Sequence, residues 1–176
     1  MEISPMQTYV SANIPLNTRT LWYKELSDVC RRQFHTKMNG HLHITLAFIE
    51  DTNDANLVAE ALGKVLEGRE MPALNFDKLD VFTGQHKKKQ IIHLTCSNPP
   101  EEFMRIVRDV RVTIENTGHR LNTGFKLHMT LAEINPDIKI ETVRDALRGI
   151  DFKGIRLTPS RPVYIERSKH TAIKTY

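Results

Sequence analysis

Two short stretches of the chain read alike: HLHITLAFIE, His41 to Glu50, and KLHMTLAEIN, Lys126 to Asn135. Each sets a histidine and a threonine two residues apart in an apolar run. In an extended strand such residues share a face. His43, Thr45 and Ala47 therefore point one way, and Leu42, Ile44, Leu46 and Phe48 the other. In the second copy His128, Thr130 and Ala132 oppose Leu127, Met129 and Leu131. Imidazole titrates near neutral pH, so two of them can divide the work of general base and general acid. Displacement at phosphorus needs both, because the nucleophile loses a proton and the leaving oxygen gains one. Two hydroxyls fixed on strands can donate to the non-bridging oxygens, where charge develops. The alanine beside each pair is expected to leave room for a phosphate. The scheme calls for no metal and no cofactor.

The elements that must carry these residues follow from hydrophobic periodicity. Thr8 to Ile14 reads as a strand, and Asn17 as the cap of a helix that runs through Arg32. Leu42 to Ile49 is a strand, and Asn53 to Glu67 a helix ended by Gly68. Ala73 to Phe82 is strand-like, with a change of phase near Lys78 that suggests a bulge. Then come a strand from Gln90 to Cys96, a helix from about Pro100 to Asn116, and a strand from Lys126 to Ile134. A short helix spans about Glu141 to Arg148, and Phe152 to Tyr176 reads as two or three strands broken at Pro159 and Pro162.

The order β-α-β-α-β thus occurs twice. At an offset of 85 residues LHITLA lies on LHMTLA with five of six positions identical, Asn13 lies on Asn98, and Pro15 on Pro100. The expected fold is α+β in a single domain spanning residues 1–176. It has two pseudo-symmetric lobes, each an antiparallel sheet with outer helices, and a cleft between them. Lobe one covers about 1–84 and lobe two about 85–176, with strand exchange at the C-terminus.

Two HxT motifs a half-chain apart, each on a strand with an apolar residue at x, resemble the 2H phosphoesterase superfamily. The HxTLA wording and the doubled βαβαβ order look most like its LigT branch, the RNA 2′,3′-cyclic phosphodiesterases and 2′-5′ RNA ligases. The resemblance implies that His43 and His128 are the acid–base pair and that Thr45 and Thr130 hold the phosphate. It implies hydrolysis of a 2′,3′-cyclic phosphate on RNA or a nucleotide to a 2′-phosphate. Other branches cleave 2′-5′ oligonucleotides, destroy cyclic oligonucleotide signals, or join RNA. A non-catalytic RNA or nucleotide binder would keep the same cleft. The LigT branch often reads HxTLAR at the second motif, and here Glu133 takes the place of that arginine.

Further residues are candidates for lining the cleft. A third HxT, His93-Leu94-Thr95, falls on Thr8 at the same offset, in the strand beside the motif rather than in it. His41 shares a face with His43, and an HxH pair can bind a metal, but the second copy has Lys126 there and no acidic residue beside it. Tyr9, Tyr164 and Phe82 are placed to stack on a base or to pack in the core, and of these Tyr9 and Tyr164 are the cleft-lining candidates. The run His86 to Lys89 reads as a solvated turn or as a contact to an RNA backbone.

Composition bounds the rest. The 25 basic and 21 acidic residues leave a net charge of +4, which suits an anionic substrate without demanding one. The two cysteines, Cys30 and Cys96, form no CxxC pair, so buried free thiols are expected rather than a zinc site or a disulfide framework. No Walker A loop and no GxSxG elbow is present. No apolar run is long enough to span a bilayer, and the N-terminal MEISPMQTYV lacks the basic-then-apolar order of a secretory signal. The expectation is a cytoplasmic monomer that meets an RNA end or a nucleotide and no membrane.

Overall fold

A computed structural model of the chain describes residues 6–85, 87–121 and 124–176. The elements are β1 (Met6–Asn13), α1 (Leu21–Phe34), β2 (His43–Thr52), α2 (Ala55–Leu66), β3 (Leu74–Phe76), β4 (Lys78–Thr83), β5 (Gln90–Thr95), α3 (Glu101–Asn116), β6 (Met129–Ile134), α4 (Ile140–Arg148), β7 (Ile155–Leu157), β8 (Val163–Glu166) and β9 (Thr171–Thr175). The fold is α+β. Seven strands form one sheet in the order β4-β5-β6-β2-β1-β8-β9, and β3 and β7 form a small second one. Neighbouring strands run antiparallel throughout.

The two half-sheets meet at a single pair, Ile44 opposite Met129. These residues are 85 apart in the sequence, so the repeat closes on itself at the centre of the sheet. Beyond that pair the edge of β6 is taken over by the loop after α1. Asn39 N–H donates to the Leu131 carbonyl at 2.7 Å and the Thr36 hydroxyl to the Glu133 carbonyl at 3.1 Å. The halves also trade strands: β4, from the first half of the chain, pairs with β5, and β8 pairs with β1.

All four helices cover one face of the sheet. Helix α3 sets Phe103, Ile106, Val107, Val110 and Ile114 inward at helical spacing, and α1 does so with Tyr23, Leu26, Cys30 and Phe34. Their apolar stripes join Ile44, Leu46, Met129 and Leu131 in one core. Among the described residues no helix covers the opposite face, and this is the side the HxT pairs address. Among the described residues no helix is long and apolar enough to cross a membrane. Both cysteines are buried and free, and burial pushes the Cys30 thiol up to about 11, which removes it as a nucleophile at neutral pH.

Three expectations need correction. The stretch Ala73 to Phe82 is two strands in different sheets, broken at Asp77, whose carboxylate accepts the Ser97 N–H at 2.9 Å. Ala47 and Ala132 lie on the core side, 2% and 0% exposed, because each motif strand carries a bulge. Thr45 faces Ser11 and Ala47 faces Val10, leaving Leu46 unpaired. Likewise Thr130 faces His93 and Ala132 faces Ile92, leaving Leu131 unpaired. One extra residue reverses the alternation after the threonine, so Phe48 and Glu133 turn to the cleft face. The carbonyl of each bulged leucine finds an outside donor, Arg111 for Leu46 and Asn39 for Leu131.

The third correction is Tyr164, which does not line the cleft. It is fully buried on the helix side, opposite Val10, and its hydroxyl donates to Thr8 Oγ1 at 2.9 Å. Thr8 in turn bonds Thr52 Oγ1 at 2.7 Å, which closes a polar network inside the core. Tyr164→Phe removes one member and is expected to cost about 1 kcal/mol of stability. Urea denaturation followed by fluorescence checks this, and an unchanged midpoint would show that the network contributes nothing net.

Candidate active site

His43 opens β2, and His128 immediately precedes β6. Because the strands are antiparallel and meet at Ile44 and Met129, His43 lies toward Thr130 and Thr45 toward His128. Ile44 and Met129 are fully buried on the helix side, and the four polar residues are half-buried on the other. Two histidines and two threonines therefore surround one point, the histidines on the diagonal. Among the described residues no hydrogen bond engages either threonine hydroxyl, so both are open to a ligand.

The tautomers follow from the backbone. His128 Nδ1 lies 3.0 Å from the carbonyl of Lys126. A carbonyl only accepts, so Nδ1 carries the proton and Nε2 of the neutral ring keeps its lone pair for the cleft. His43 has the same relation to the carbonyl of His41, but Nδ1 is buried without a full hydrogen bond. Burial holds both imidazoles below their ordinary value. For His43 the charges of His41 and His128 add to this, and the His41 carbonyl opposes it. For His128 the Lys126 carbonyl opposes it and the Lys126 ammonium adds to it.

The two lobes differ around this shared centre. On the β1–β8–β9 side a cavity of about 680 Å³ begins at His43 and runs over Tyr9, Val163 and Ile165, with Asn13 and Asn39 at its rim. Among the described residues no lysine or arginine lines it, while three histidines do, His41, His43 and His170. Ser11, opposite Thr45, keeps a buried hydroxyl with no hydrogen-bond partner among the described residues. On the β4–β5 side the Phe82 ring stands perpendicular to His128 at 5.3 Å between centroids, with Lys126 Nζ 3.5 Å from the centre of Phe82.

The remaining sequence candidates divide. Tyr9 lines the cavity, its ring 6.2 Å from that of His43, and exposed His41 does so with its ring at 5.1 Å. His93 is buried on the cleft face opposite Thr130, and its ring is 6.0 Å from His128. This is the position of Ser11 in the other half, three residues from the Thr8 to which the 85-residue offset points. The second half has three more residues between its central strands, so the offset fails there and the Asn13–Asn98 and Pro15–Pro100 matches are not equivalences within the sheet. Glu133 takes Lys89 at 3.3 Å at the cleft edge. Lys87 and Lys88 form the turn between β4 and β5, and His86 lies outside the described residues. No group of three histidine, cysteine or acidic side chains clusters for a metal among the described residues.

The profile of the 2′-5′ RNA ligase superfamily matches residues 22–167. The chain belongs to this superfamily. Its fold is shared with solved structures of low sequence identity, LigT and Usb1 among them. The apo structure of E. coli LigT superimposes with a TM-score of 0.59 at 14% identity, covering 99% of this chain and 98% of that one. Usb1 of Kluyveromyces marxianus gives a TM-score of 0.62 at 11% identity, covering 98% of each chain. The ns2 PDE domain of MHV gives 0.59 at 11%, covering 88% of this chain and 98% of that domain. A comparison with curated protein sequences returned no match.

Proposed function

We propose that the protein is a phosphodiesterase that opens a 2′,3′-cyclic phosphate at an RNA end, or on a nucleotide, to give a 2′-phosphate. The observation that carries this is the arrangement of His43, Thr45, His128 and Thr130 around one point at the Ile44–Met129 pair. The phosphorus sits at that point. Thr45 and Thr130 donate to its two non-bridging oxygens. Attack and departure at phosphorus are in line, and histidines on the diagonal suit the two ends of that line. No step calls for a metal. RNA as the substrate class fits the superfamily, and solved structures of E. coli LigT hold 3′-AMP, ATP or NADP+.

The unequal lobes orient the reaction. The cavity beside His43, which Tyr9, Val163 and Ile165 line, takes the nucleoside, so the ribose 3′ oxygen leaves on that side and His43 protonates it. His128, with its lone pair fixed toward the cleft, takes the proton from water. The P–O3′ bond breaks as the new P–O bond forms. In the free protein His43 is disfavoured as an imidazolium, so its proton is held once the anionic phosphate is bound.

The test is a short RNA with a 2′,3′-cyclic phosphate end, incubated in excess EDTA and followed by phosphorus NMR. A 2′-phosphate is expected. A 3′-phosphate would reverse the assigned leaving group, and an untouched substrate beside cleaved 2′-5′ oligoadenylate would move the activity to that linkage.

A further inference from the structure

His93 has no task in the reaction above. It is nevertheless 4% exposed, on the cleft face, beside the base. Its Nδ1–H donates to the carbonyl of Ile91 at 3.1 Å, which fixes the ring. The ring stands at 85° to that of His128, with centroids 6.0 Å apart. Phe82 completes the corner: it packs on His93 at 4.9 Å and meets His128 at 90° and 5.3 Å. His128 thus has perpendicular rings on two sides and the Lys126 carbonyl on its Nδ1. His43, at the mirrored position, has Ser11 where His128 has His93, and its Nδ1 lacks a full bond. Its neighbouring rings, Tyr9 at 6.2 Å and His41 at 5.1 Å, are tilted by 34° and 37° rather than perpendicular.

We propose that His93 is a positioning residue for His128, an imidazole wall that with Phe82 sets the angle of the catalytic ring and keeps water from its flank. This rests on the reading of His128 as the base. The charged and titratable groups that face His93 are His128 itself, Lys126, and Asp80, its cross-strand partner on β4. Burial, with His128 and Lys126, keeps the His93 imidazole neutral against the pull of the Ile91 carbonyl and Asp80. His93 acts as a neutral ring, not as a third proton carrier. A neutral wall of this kind adds to the burial that holds His128 low, so thinning the wall lets water in and raises His128 toward its ordinary value.

Two variants separate the wall from the hydrogen bond. His93→Asn keeps a donor for Ile91 and loses the outer half of the ring. His93→Phe keeps the ring and loses the donor. Thermal melts establish the folded fraction, and His128→Ala serves as the control for the mechanism. His93→Asn is expected to lower kcat by about 10- to 100-fold with KM little changed, as for a misplaced catalytic group. The acidic limb of its pH profile should move up. His93→Phe should restore both. Imidazole nitrogen NMR of His128 reads the same effect without substrate: a single Nδ1–H tautomer in the native protein and in His93→Phe, and a mixture titrating higher in His93→Asn. Equal losses in the two variants, or no change in either reading, would overturn the wall. If His128→Ala keeps its turnover, the fault lies in the two-histidine mechanism, and the NMR titration still judges His93.

Discussion

Alanine at either His43 or His128 is expected to lower kcat by about 10²- to 10⁴-fold, the range for removing a positioned acid or base. The folded protein should persist in both cases. The two side chains are half-buried on the helix-free face, and neither belongs to the core that Ile44 and Met129 anchor. The double variant should be little worse than either single one, since base and acid act in the same displacement. Thr45→Val and Thr130→Val remove a donor to the phosphoryl oxygens while keeping side-chain shape. Each is expected to cost about 10²- to 10³-fold, the scale of losing one oxyanion donor. Binding of a 2′-phosphate product, measured by calorimetry, should survive the histidine variants better than the threonine ones. Full turnover in either histidine variant would dismiss the mechanism. Retained turnover in both threonine variants would leave the histidines and remove the phosphate clamp.

How much of this was visible in the sequence depends on what each inference counts. The HxT pairs were legible because alternation within one strand fixes the face of His43 relative to Thr45, and because the repeat places Ile44 opposite Met129. Alternation failed one step later, at Leu46 and Leu131, because a bulge adds a residue that no local composition announces. That single residue sent Ala47 and Ala132 inward and brought Phe48 and Glu133 out. His93 was found as a motif but placed on the wrong counterpart, since an offset read from one pair of strands does not survive a longer connection in the other half. Tyr164 misled for a different reason. Its strand reverses the usual polarity, with Val163 and Ile165 forming the floor of the cavity and a tyrosine hydroxyl satisfied by Thr8 in the core. Only pairing between strands reveals such inversions. The inequality of the lobes was equally hidden, because the repeated words are nearly identical and the difference lies in Ser11 against His93 on neighbouring strands.

The pH dependence tests burial as well as chemistry. The imidazoles of His43 and His128 are both held below their ordinary value of 6.5, chiefly by burial. In the proposed mechanism the active form is the pair carrying one proton, so kcat/KM should follow a bell whose centre lies below 6.5, with two apparent values that belong to the pair. At about pH 7.5 most free molecules have both rings neutral, and kcat/KM should already be falling, because the acid has lost its proton. The bound phosphate anion favours imidazolium, so the bell in kcat should sit at higher pH than the bell in kcat/KM. Stability moves with the same groups. His43, His93 and His128 bind protons less readily folded than unfolded, so stability present above 6.5 is lost as pH falls through their lowered values. Melts across the pH range distinguish that loss from the acid limb of activity. A kcat/KM optimum above neutrality would mean that the rings are not shielded as the fold places them. A flat profile between about pH 5 and about pH 8 would mean that neither ring moves a proton in the rate-limiting step.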